Sequence, residues 1–389
     1  MRSRLRPYYA RLTRASGRGL TGAAILRAMA FTSITDEPAR GDFPPVGLLG
    51  LAGPERAQVF ADGLLPRPPI SHLFGLMPQS RTETEAVFTM PASPWLQTSF
   101  GVYLASTAVL AADAPFGSAL VPSMTPGMYG TTSEVSMSFL RPASPASGML
   151  TARAHKVDAG RTLGLSEATV TDARGRLLAH GTSRYVFLQL DPPPPPLEVK
   201  KYDEPTYDTP DPYERPVQGE LIPLEVWRTR PGLDVLRAAA AGELPRAPFA
   251  YLFGCSLSEI EEGSVVSTMP ASKWFASPAR TIYGGMTAYF ADTAITAAIQ
   301  TTLPANTVSA LVDLKVNYTR PAVPDGRQLR ARATVVHRGQ RMAVARADLI
   351  NADDKTYAIA TGSAMILEGR VWDVERPVVA VDDARADDD

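Results

Sequence analysis

Residues 281–300 read TIYGGMTAYFADTAITAAIQ, and residues 308–318 read VSALVDLKVNY. In the first stretch, apolar side chains at helical spacing follow a Gly-Gly pair, which predicts a long helix with a broad apolar face that ends before Pro304. In the second stretch, apolar and polar residues alternate, which predicts a half-buried strand; only Leu311 breaks the alternation. Similar strand patterns occur at about Val265–Met269, Leu329–His337, Arg341–Ile350 and Tyr357–Leu367. One buried helix on an antiparallel sheet, an α+β fold, is therefore predicted.

The same pattern occurs twice in the chain. Residues 89–93 and 268–272 both read TMPAS, at an offset of 179 residues. Further matches at this offset are LPR at 65–67 and 244–246, LFG at 73–75 and 252–254, Asp113 and Asp292, RPA at 141–143 and 320–322, and ARA at 152–154 and 331–333. Two copies of one domain of roughly 140 residues follow one another, as the duplication of a homodimeric domain would leave them.

The predicted organisation has five segments. They are a basic, partly disordered N-terminal extension at 1–52, the first domain at 53–190, a Pro-rich linker at 191–231, the second domain at 232–369 and an acidic tail at 370–389. Five consecutive prolines, Pro192–Pro196, open the linker, and because proline cannot donate to a ladder we expect an extended, semi-rigid connector there. The first 35 residues contain seven arginines and no acid, which favours a disordered extension, with a mitochondrial presequence as the alternative.

Composition limits the classes of function. Lys and Arg total 39 and Asp and Glu total 40, so the chain lacks the basic surplus of a nucleic-acid-binding protein. A single cysteine, Cys255, excludes an intramolecular disulfide and a thiolate metal cage, and the four histidines are scattered, so no metal is expected. The mean hydropathy is −0.07, and no apolar run approaches the roughly 20 residues that span a bilayer. A cytoplasmic protein is expected, or a mitochondrial-matrix one if the N-terminus is a presequence.

Four segments of the second copy resemble a known family. Residues 283–285 (YGG), six further residues, 292–294 (DTA), a strand ending in 320–322 (RPA) and then 335–339 (VVHRG) are similar to the PaaI-like acyl-CoA thioesterases of the hotdog fold. The usual signature of that family is His-Gly-Gly, six residues, Asp, and a strand that ends in Arg-Pro-Ala. The resemblance covers both copies and excludes the linker and the ends. It implies a double hotdog, in which a sheet wraps each central helix and the copies pack as a pseudo-dimer.

Thioester hydrolysis requires a base that activates water, and donors where negative charge develops on the carbonyl oxygen. Gly284 and Gly285, at a predicted helix N-terminus, offer backbone N–H groups and room for close approach. Asp292 lies in an otherwise apolar helix, where an aspartate is costly to bury unless it is paired or put to use. Asp113 repeats it in the first copy. The alternative for both is a capped or salt-bridged structural aspartate.

The helix spacing makes it difficult for one copy to supply both donor and base. Asp292 lies nearly two turns, or about 10 Å, beyond Gly285, too far for both to serve one carbonyl easily. In the PaaI-like family the base comes from the opposite subunit, and a Ser or Thr on the strand after the helix often holds the water. Thr132 has this position in the first copy, and its counterpart is Leu311. The resemblance thus implies a better-equipped site of Gly284, Gly285, Asp113 and Thr132, and a second site of Ala105, Ser106 and Asp292.

The chain also departs from the family pattern. Tyr283 stands where the family has its histidine, and Ser277 stands where an asparagine often helps to hold the thioester carbonyl. We expect both to bind substrate, although a packed aromatic side chain at a helix start is equally consistent with Tyr283. Arg320 and Arg338 are candidates for contacts with coenzyme A phosphates, and solvated strand-end arginines are the alternative.

The leading prediction is a cofactor-independent acyl-CoA thioesterase that uses an aspartate-activated water. One alternative is a non-catalytic acyl-CoA-binding or scaffold protein, which the departures at Tyr283 and Ser277 favour. Another is a hydratase or dehydratase of the same fold, although the helix region lacks the histidine that this chemistry uses. The expected partner is an acyl-CoA, without nucleic acid or metal. The sequence leaves open the acyl type, coenzyme A versus acyl-carrier protein, and further assembly of double hotdogs.

Overall fold

The computed structural model describes residues 33–196 and 200–370. Most of the basic extension, including the seven arginines of its first 35 residues, lies outside the described residues, as does the acidic tail beyond residue 370. The segment boundaries predicted above therefore stay predictions.

The two copies contain the same succession of elements. The first has helices α1 (Gly53–Ala61), α2 (Pro69–Phe74) and α3 (Thr107–Ser118), with strands β1 (Met77–Arg81), β2 (Glu85–Pro91), β3 (Met128–Phe139), β4 (Met149–Ala159), β5 (Leu163–Thr171) and β6 (Leu177–Gln189). After α4 (Leu224–Thr229), the second has α5 (Gly232–Ala240), α6 (Pro248–Phe253) and α7 (Gly284–Thr301), with β7 (Ser256–Glu261), β8 (Ser264–Pro270), β9 (Thr307–Tyr318), β10 (Gln328–Arg338), β11 (Met342–Ile350) and β12 (Thr356–Glu368). Short 3₁₀ helices span Ile34–Asp36, Val46–Gly50, Pro94–Leu96, Val121–Ser123, Pro145–Ser147, Pro212–Glu214 and Lys273–Phe275.

All twelve strands form one antiparallel sheet. Its order is β1-β2-β4-β5-β6-β3-β9-β12-β11-β10-β8-β7, so the two copies meet where β3 pairs with β9. That seam runs from Glu134 opposite Asn317 to Ser138 opposite Asp313. The central helices α3 and α7 pack against the sheet and against each other, within one apolar core that both copies share. The predicted α+β fold, two hotdog domains packed as a pseudo-dimer, is confirmed.

A β-bulge explains the broken alternation in the sequence. Asp313 pairs with Ser363, but the next pair joins Leu311 to Ala364, so Val312 is an extra residue without a partner across the ladder. The first copy has the equivalent bulge at Ser133 in β3. Because side chains alternate with a period of two, one inserted residue reverses the facing of all that precede it. The bulge places Leu311 in the core, and its counterpart in the first copy turns Thr132 toward α3.

The Pro-rich linker is docked on the first copy. Asp211 accepts hydrogen bonds from Arg40 at 3.2 Å and Arg67 at 3.3 Å, and its carboxylate lies 3.0 Å from Nδ1 of the buried His72. Farther along, the Trp95 indole donates to the carbonyl of Arg215 at 3.0 Å. Burial alone would raise the pKa of Asp211, but the hydrogen bond and charge of His72 and the charge of Arg67 hold it below its ordinary value. This ion cluster fixes the linker against α2.

Replacing Asp211 with Ala is expected to lower the free energy of unfolding by about 2 kcal/mol, because three donors lose their acceptor. Since the pKa of Asp211 is depressed by folding, its contribution is complete above about pH 4 and is lost as the pH falls through that range. Denaturant titration and limited proteolysis of the linker measure both effects. The exposed Asp208 of the same linker provides the control. Equal losses of stability in Asp211→Ala and Asp208→Ala would contradict a stabilising role of the ion cluster.

Candidate functional site

The structure brings the acid of one copy to the helix start of the other. Asp113, in the middle of α3, is 4% exposed, and its Oδ2 accepts a hydrogen bond from the Gly285 N–H in the first turn of α7 at 3.0 Å. The Thr132 hydroxyl donates to Oδ1 over 3.4 Å. Negative charge is favoured at a helix N-terminus, where unpaired N–H groups and the helix dipole converge. The residues of the better-equipped predicted site are thus neighbours, while their chemical roles stay predictions.

Both glycines permit this close approach. A Cβ on Gly284 would lie 2.9 Å from each carboxylate oxygen of Asp113. A Cβ on Gly285 would lie 2.9 Å from the Cα of Leu110 and from the carbonyl oxygen of Val109 in α3. Real side chains do not tolerate such distances to backbone atoms, so the Gly-Gly pair lets α7 meet both the carboxylate and the neighbouring helix.

The environment of Asp113 raises the pKa of its carboxyl group. Burial raises the pKa of its carboxyl to about 6, against the opposing hydrogen bonds from the Gly285 N–H, the Thr132 hydroxyl and the Gly284 N–H. Desolvation penalises the charged form more than these donors stabilise it. A carboxylate that titrates near neutral pH is suited to take a proton from water.

Tyr283, which replaces the family histidine, binds the backbone of α3 beside Asp113. Its hydroxyl accepts a hydrogen bond from the Ala114 N–H at 2.7 Å and donates to the carbonyl of Leu110 at 3.0 Å. These two groups are four residues apart, the spacing of a normal helical hydrogen bond, so the phenol bridges one step of the helix ladder. Its single hydrogen is engaged with Leu110, and the geometry gives Tyr283 a role in fixing the helix segment that carries Asp113.

The second predicted pair is also in contact, but its surroundings differ. Asp292 is 0% exposed; its Oδ2 accepts from the Ser106 N–H at the start of α3 at 2.9 Å, and its Oδ1 accepts from the Thr296 hydroxyl at 2.7 Å. Burial raises the pKa of this carboxyl, against the hydrogen bonds from Ser106 and Thr296. Leu311 supplies an apolar side chain where the first site has Thr132. Both aspartates therefore accept a hydrogen bond at each oxygen, and Asp292 differs in being fully enclosed.

The two sites differ in one pair of packed residues, which is a large strand residue over a small helix residue in the first copy and the reverse in the second. The half-buried Tyr185 of β6 extends over Gly117 of α3, where a Cβ would lie 2.2 Å from its hydroxyl oxygen. In the second copy, Thr296 stands at the position of Gly117 and Ala364 at that of Tyr185. Sequence analysis did not identify Tyr185 or Gly117 as functional candidates, although mismatches between copies at the fixed offset were the available signal. Tyr318, whose hydroxyl donates to the Gly284 carbonyl at 2.9 Å, was missed as well.

The remaining predicted residues lie in other surroundings. Ser277 forms a turn with Thr281, its hydroxyl 3.3 Å from that of Thr281. Arg320 follows β9 and is exposed, and the exposed Arg338 donates to the Gly339 carbonyl at 2.9 Å. No hydrogen bond of the described chain joins these three side chains to Asp113, and their predicted contacts with substrate stay predictions.

Two further expectations concern metal and membrane. Within residues 33–196 and 200–370, no group of three or more His, Cys, Asp or Glu side chains is placed to hold a metal ion. No helix in that same part of the chain is long and apolar enough to cross a bilayer.

Comparison with known proteins bears on the second copy most directly. Residues 279–358, which contain Gly284, Gly285 and Asp292, match the family model described as thioesterase superfamily. The sequence resemblance to thioesterases is thereby confirmed at the level of this superfamily. No curated protein matches the chain.

Solved structures of low sequence identity are also similar to this chain. The tesB protein of Mycobacterium avium subspecies paratuberculosis is 14% identical, with a TM-score of 0.47 over 77% of this chain and 98% of that chain. The acyl-CoA thioesterase II of Mycobacterium marinum is 10% identical, with a TM-score of 0.46 over 78% and 99%. The PaaI protein of E. coli is 23% identical, with a TM-score of 0.32 over 36% of this chain and 98% of that one.

Replacing Asp113 with Asn is expected to stabilise the protein at pH 8. Folding raises the pKa of this carboxyl from 3.8 to about 6, so its ionisation above that range favours the unfolded state. The neutral amide avoids that penalty, and we expect a gain of about 1–3 kcal/mol that shrinks as the pH falls toward 4. Urea titrations at several pH values measure it, with the exposed Asp158→Asn as the control. A variant less stable than the parent at pH 8 would contradict the assigned desolvation.

Proposed function

We propose that this chain hydrolyses the thioester of an acyl-CoA to the free acid and coenzyme A at a single working site. The observation that carries the proposal is the buried Asp113 carboxylate of one copy at 3.0 Å from the Gly285 N–H of the other. The thioesterase-superfamily match over residues 279–358 supports the reaction class. The pair supplies the two elements that acyl transfer to water requires, a base and a backbone donor at a helix N-terminus.

The proposed reaction uses these groups in turn. Asp113 takes a proton from a water molecule that the Thr132 hydroxyl helps to hold, and the water oxygen attacks the thioester carbonyl carbon. The negative charge that develops on the carbonyl oxygen is stabilised by the N–H of Gly285 and the N-terminus of α7. The C–S bond then breaks, and the departing thiolate takes a proton from Asp113. The carboxylate is restored, and acid and thiol leave.

The hydrogen bond between Asp113 and Gly285 couples binding to activation of the base. Without substrate, the Gly285 N–H donates to the carboxylate. A thioester carbonyl that accepts this N–H displaces the carboxylate from its strongest donor. Since that donor lowers the pKa of Asp113, its loss raises the basicity of the carboxylate when the carbonyl is in place.

Asp292 is assigned a structural role in this proposal. Its two oxygens are held by Ser106 and Thr296 within the core, and the water-holding threonine is replaced by Leu311. A buried carboxylate with both oxygens engaged caps the start of α3 across the interface between copies.

A non-catalytic acyl-CoA-binding protein is the second candidate. The observation that favours it is that both aspartates cap the opposite helix in the same way, which a purely structural duplication would also produce. Release of thiol from a panel of acyl-CoA thioesters, followed with a thiol-reactive dye, separates the two candidates. Binding without release would overturn the hydrolase proposal.

Asp113→Asn is expected to lower kcat by about 10²–10⁴-fold, because the amide cannot accept the proton of the attacking water. Asp292→Asn serves as the matched variant, and we expect less than about a fivefold change in kcat for it. Both variants are assayed for thiol release at a temperature where circular dichroism shows them folded. An undiminished rate for Asp113→Asn, or equal losses for both, would contradict a single working site.

The rate is also expected to depend on pH through Asp113. kcat/KM should rise with pH and level off above an apparent pKa of about 6, since the base acts in its ionised form. kcat reports the substrate-bound state, in which the Gly285 N–H donates to the substrate carbonyl and no longer to Asp113. The rise of kcat with pH should therefore lie at higher pH than the rise of kcat/KM. Initial rates across the pH range test both statements, and a limb of kcat at or below that of kcat/KM would contradict the exchange of donors.

A further inference from the structure

Of the two sites, the first has space on its central helix for the phenol ring of Tyr185, and the second has neither the space nor the phenol. A Cβ on Gly117 would lie 2.2 Å from the Tyr185 hydroxyl oxygen and 2.7 Å from its Cζ, so only glycine leaves room for the ring. Glycine inside a helix costs about 1 kcal/mol relative to alanine. In the second copy the helix position is Thr296 and the strand position is Ala364, so the glycine occurs only where the phenol does.

Tyr185 is the cross-strand neighbour of Thr132, the residue proposed to hold the attacking water. Thr132 and Tyr185 face each other across the β3–β6 ladder, beside the bulge at Ser133. Burial raises the pKa of Tyr185, and the neighbouring Thr132 side chain lowers it. The Thr132 hydroxyl itself donates to Oδ1 of Asp113 over 3.4 Å. Because the hydrogen of Thr132 points to the carboxylate, its oxygen is free to accept the hydrogen of Tyr185. Linked hydrogen bonds of this kind polarise and strengthen one another.

We infer that Tyr185 is a positioning residue, which donates its phenolic hydrogen to Thr132 and thereby directs the Thr132 hydroxyl at Asp113. The inference deepens the proposed hydrolase function and rests on it for its catalytic meaning. Tyr185 acts through Thr132, while Gly117 provides the space that the phenol occupies. The second site, with Leu311 and Ala364 at the corresponding positions, has no such relay.

The titratable neighbours of Asp113 do not change charge in the pH range in which Asp113 titrates. The titratable side chains that face it are Tyr185 from β6, Tyr283 before α7, and Tyr318 from β9. Burial raises the pKa of all three phenols, so they remain neutral between about pH 4 and 8. A change in the pKa of Asp113 in that range therefore reports on the hydrogen bonds it receives.

The test uses the full-length protein labelled with ¹³C at the aspartate carboxyls, with Asp113→Asn to assign the signal. Tyr185→Phe is expected to raise the measured pKa of Asp113 by roughly 0.5, because the threonine becomes a weaker donor. We expect kcat for thiol release to fall about fivefold, with its pH limb moved in the same direction. Tyr129→Phe, on the same strand pair, should change neither.

Gly117→Ala provides a second variant that retains the phenol but displaces it. We expect the same rise in the pKa of Asp113 as for Tyr185→Phe. The double variant should show no further rise, because both substitutions remove the same hydrogen bond from Tyr185 to Thr132. Unchanged titration of Asp113 in both single variants, or additive effects in the double variant, would overturn the inference. If the parent protein releases no thiol, the proposed function fails, and the titration still decides the role of Tyr185.

Discussion

The structure depends on one reciprocal interaction: each central helix begins against a carboxylate of the opposite copy. Gly285 donates its N–H to Asp113, and Ser106 donates its N–H to Asp292. Burial opposes both charges, and the helix N-termini partly offset that penalty. Because each contact crosses the interface, neither copy completes its own helix end. The shared core and the twelve-stranded sheet bring both contacts about at once.

The duplication allowed these two equivalent contacts to diverge. On one side, the half-buried Thr132 donates its hydroxyl to the carboxylate, and Tyr185 extends beside it over Gly117. On the other, the buried Leu311 stands at the position of Thr132, and the Thr296 hydroxyl binds the carboxylate. The backbone arrangement is common to both, down to a bulge at the same place in the strand. The two carboxylates thus differ in a few surrounding side chains, and our proposal assigns proton transfer to Asp113 and helix capping to Asp292.

The sequence predicted the fold well because the helix-strand pattern is a local signal and the repeat is visible as matching residues at one fixed offset. The helix ending before Pro304 and the strand at 308–318 follow from spacing, whereas the pairing of Asp113 with the Gly-Gly pair was implied by the family resemblance. The roles of Tyr185 and Gly117 could not be read in the same way, because they depend on which side chains meet across the sheet. Leu311 was the one local clue: its break in alternation marks the bulge in β9, whose counterpart in β3 turns Thr132 toward Asp113. Tyr283 was ambiguous for a similar reason, since only coordinates show that its hydroxyl bridges Ala114 and Leu110.

The seam between β3 and β9 has a consequence for how the protein behaves in dilute solution. Two separate subunits joined by that short pairing would part as their concentration fell, and a shared site would vanish with them. Here the linker, held by Asp211, keeps the halves on one chain, so their effective concentration no longer depends on expression level. Assembly of the shared site is therefore a unimolecular event. Mutations that weaken the β3–β9 pairing would therefore reduce assembly of the shared site less in this chain than in a pair of free subunits.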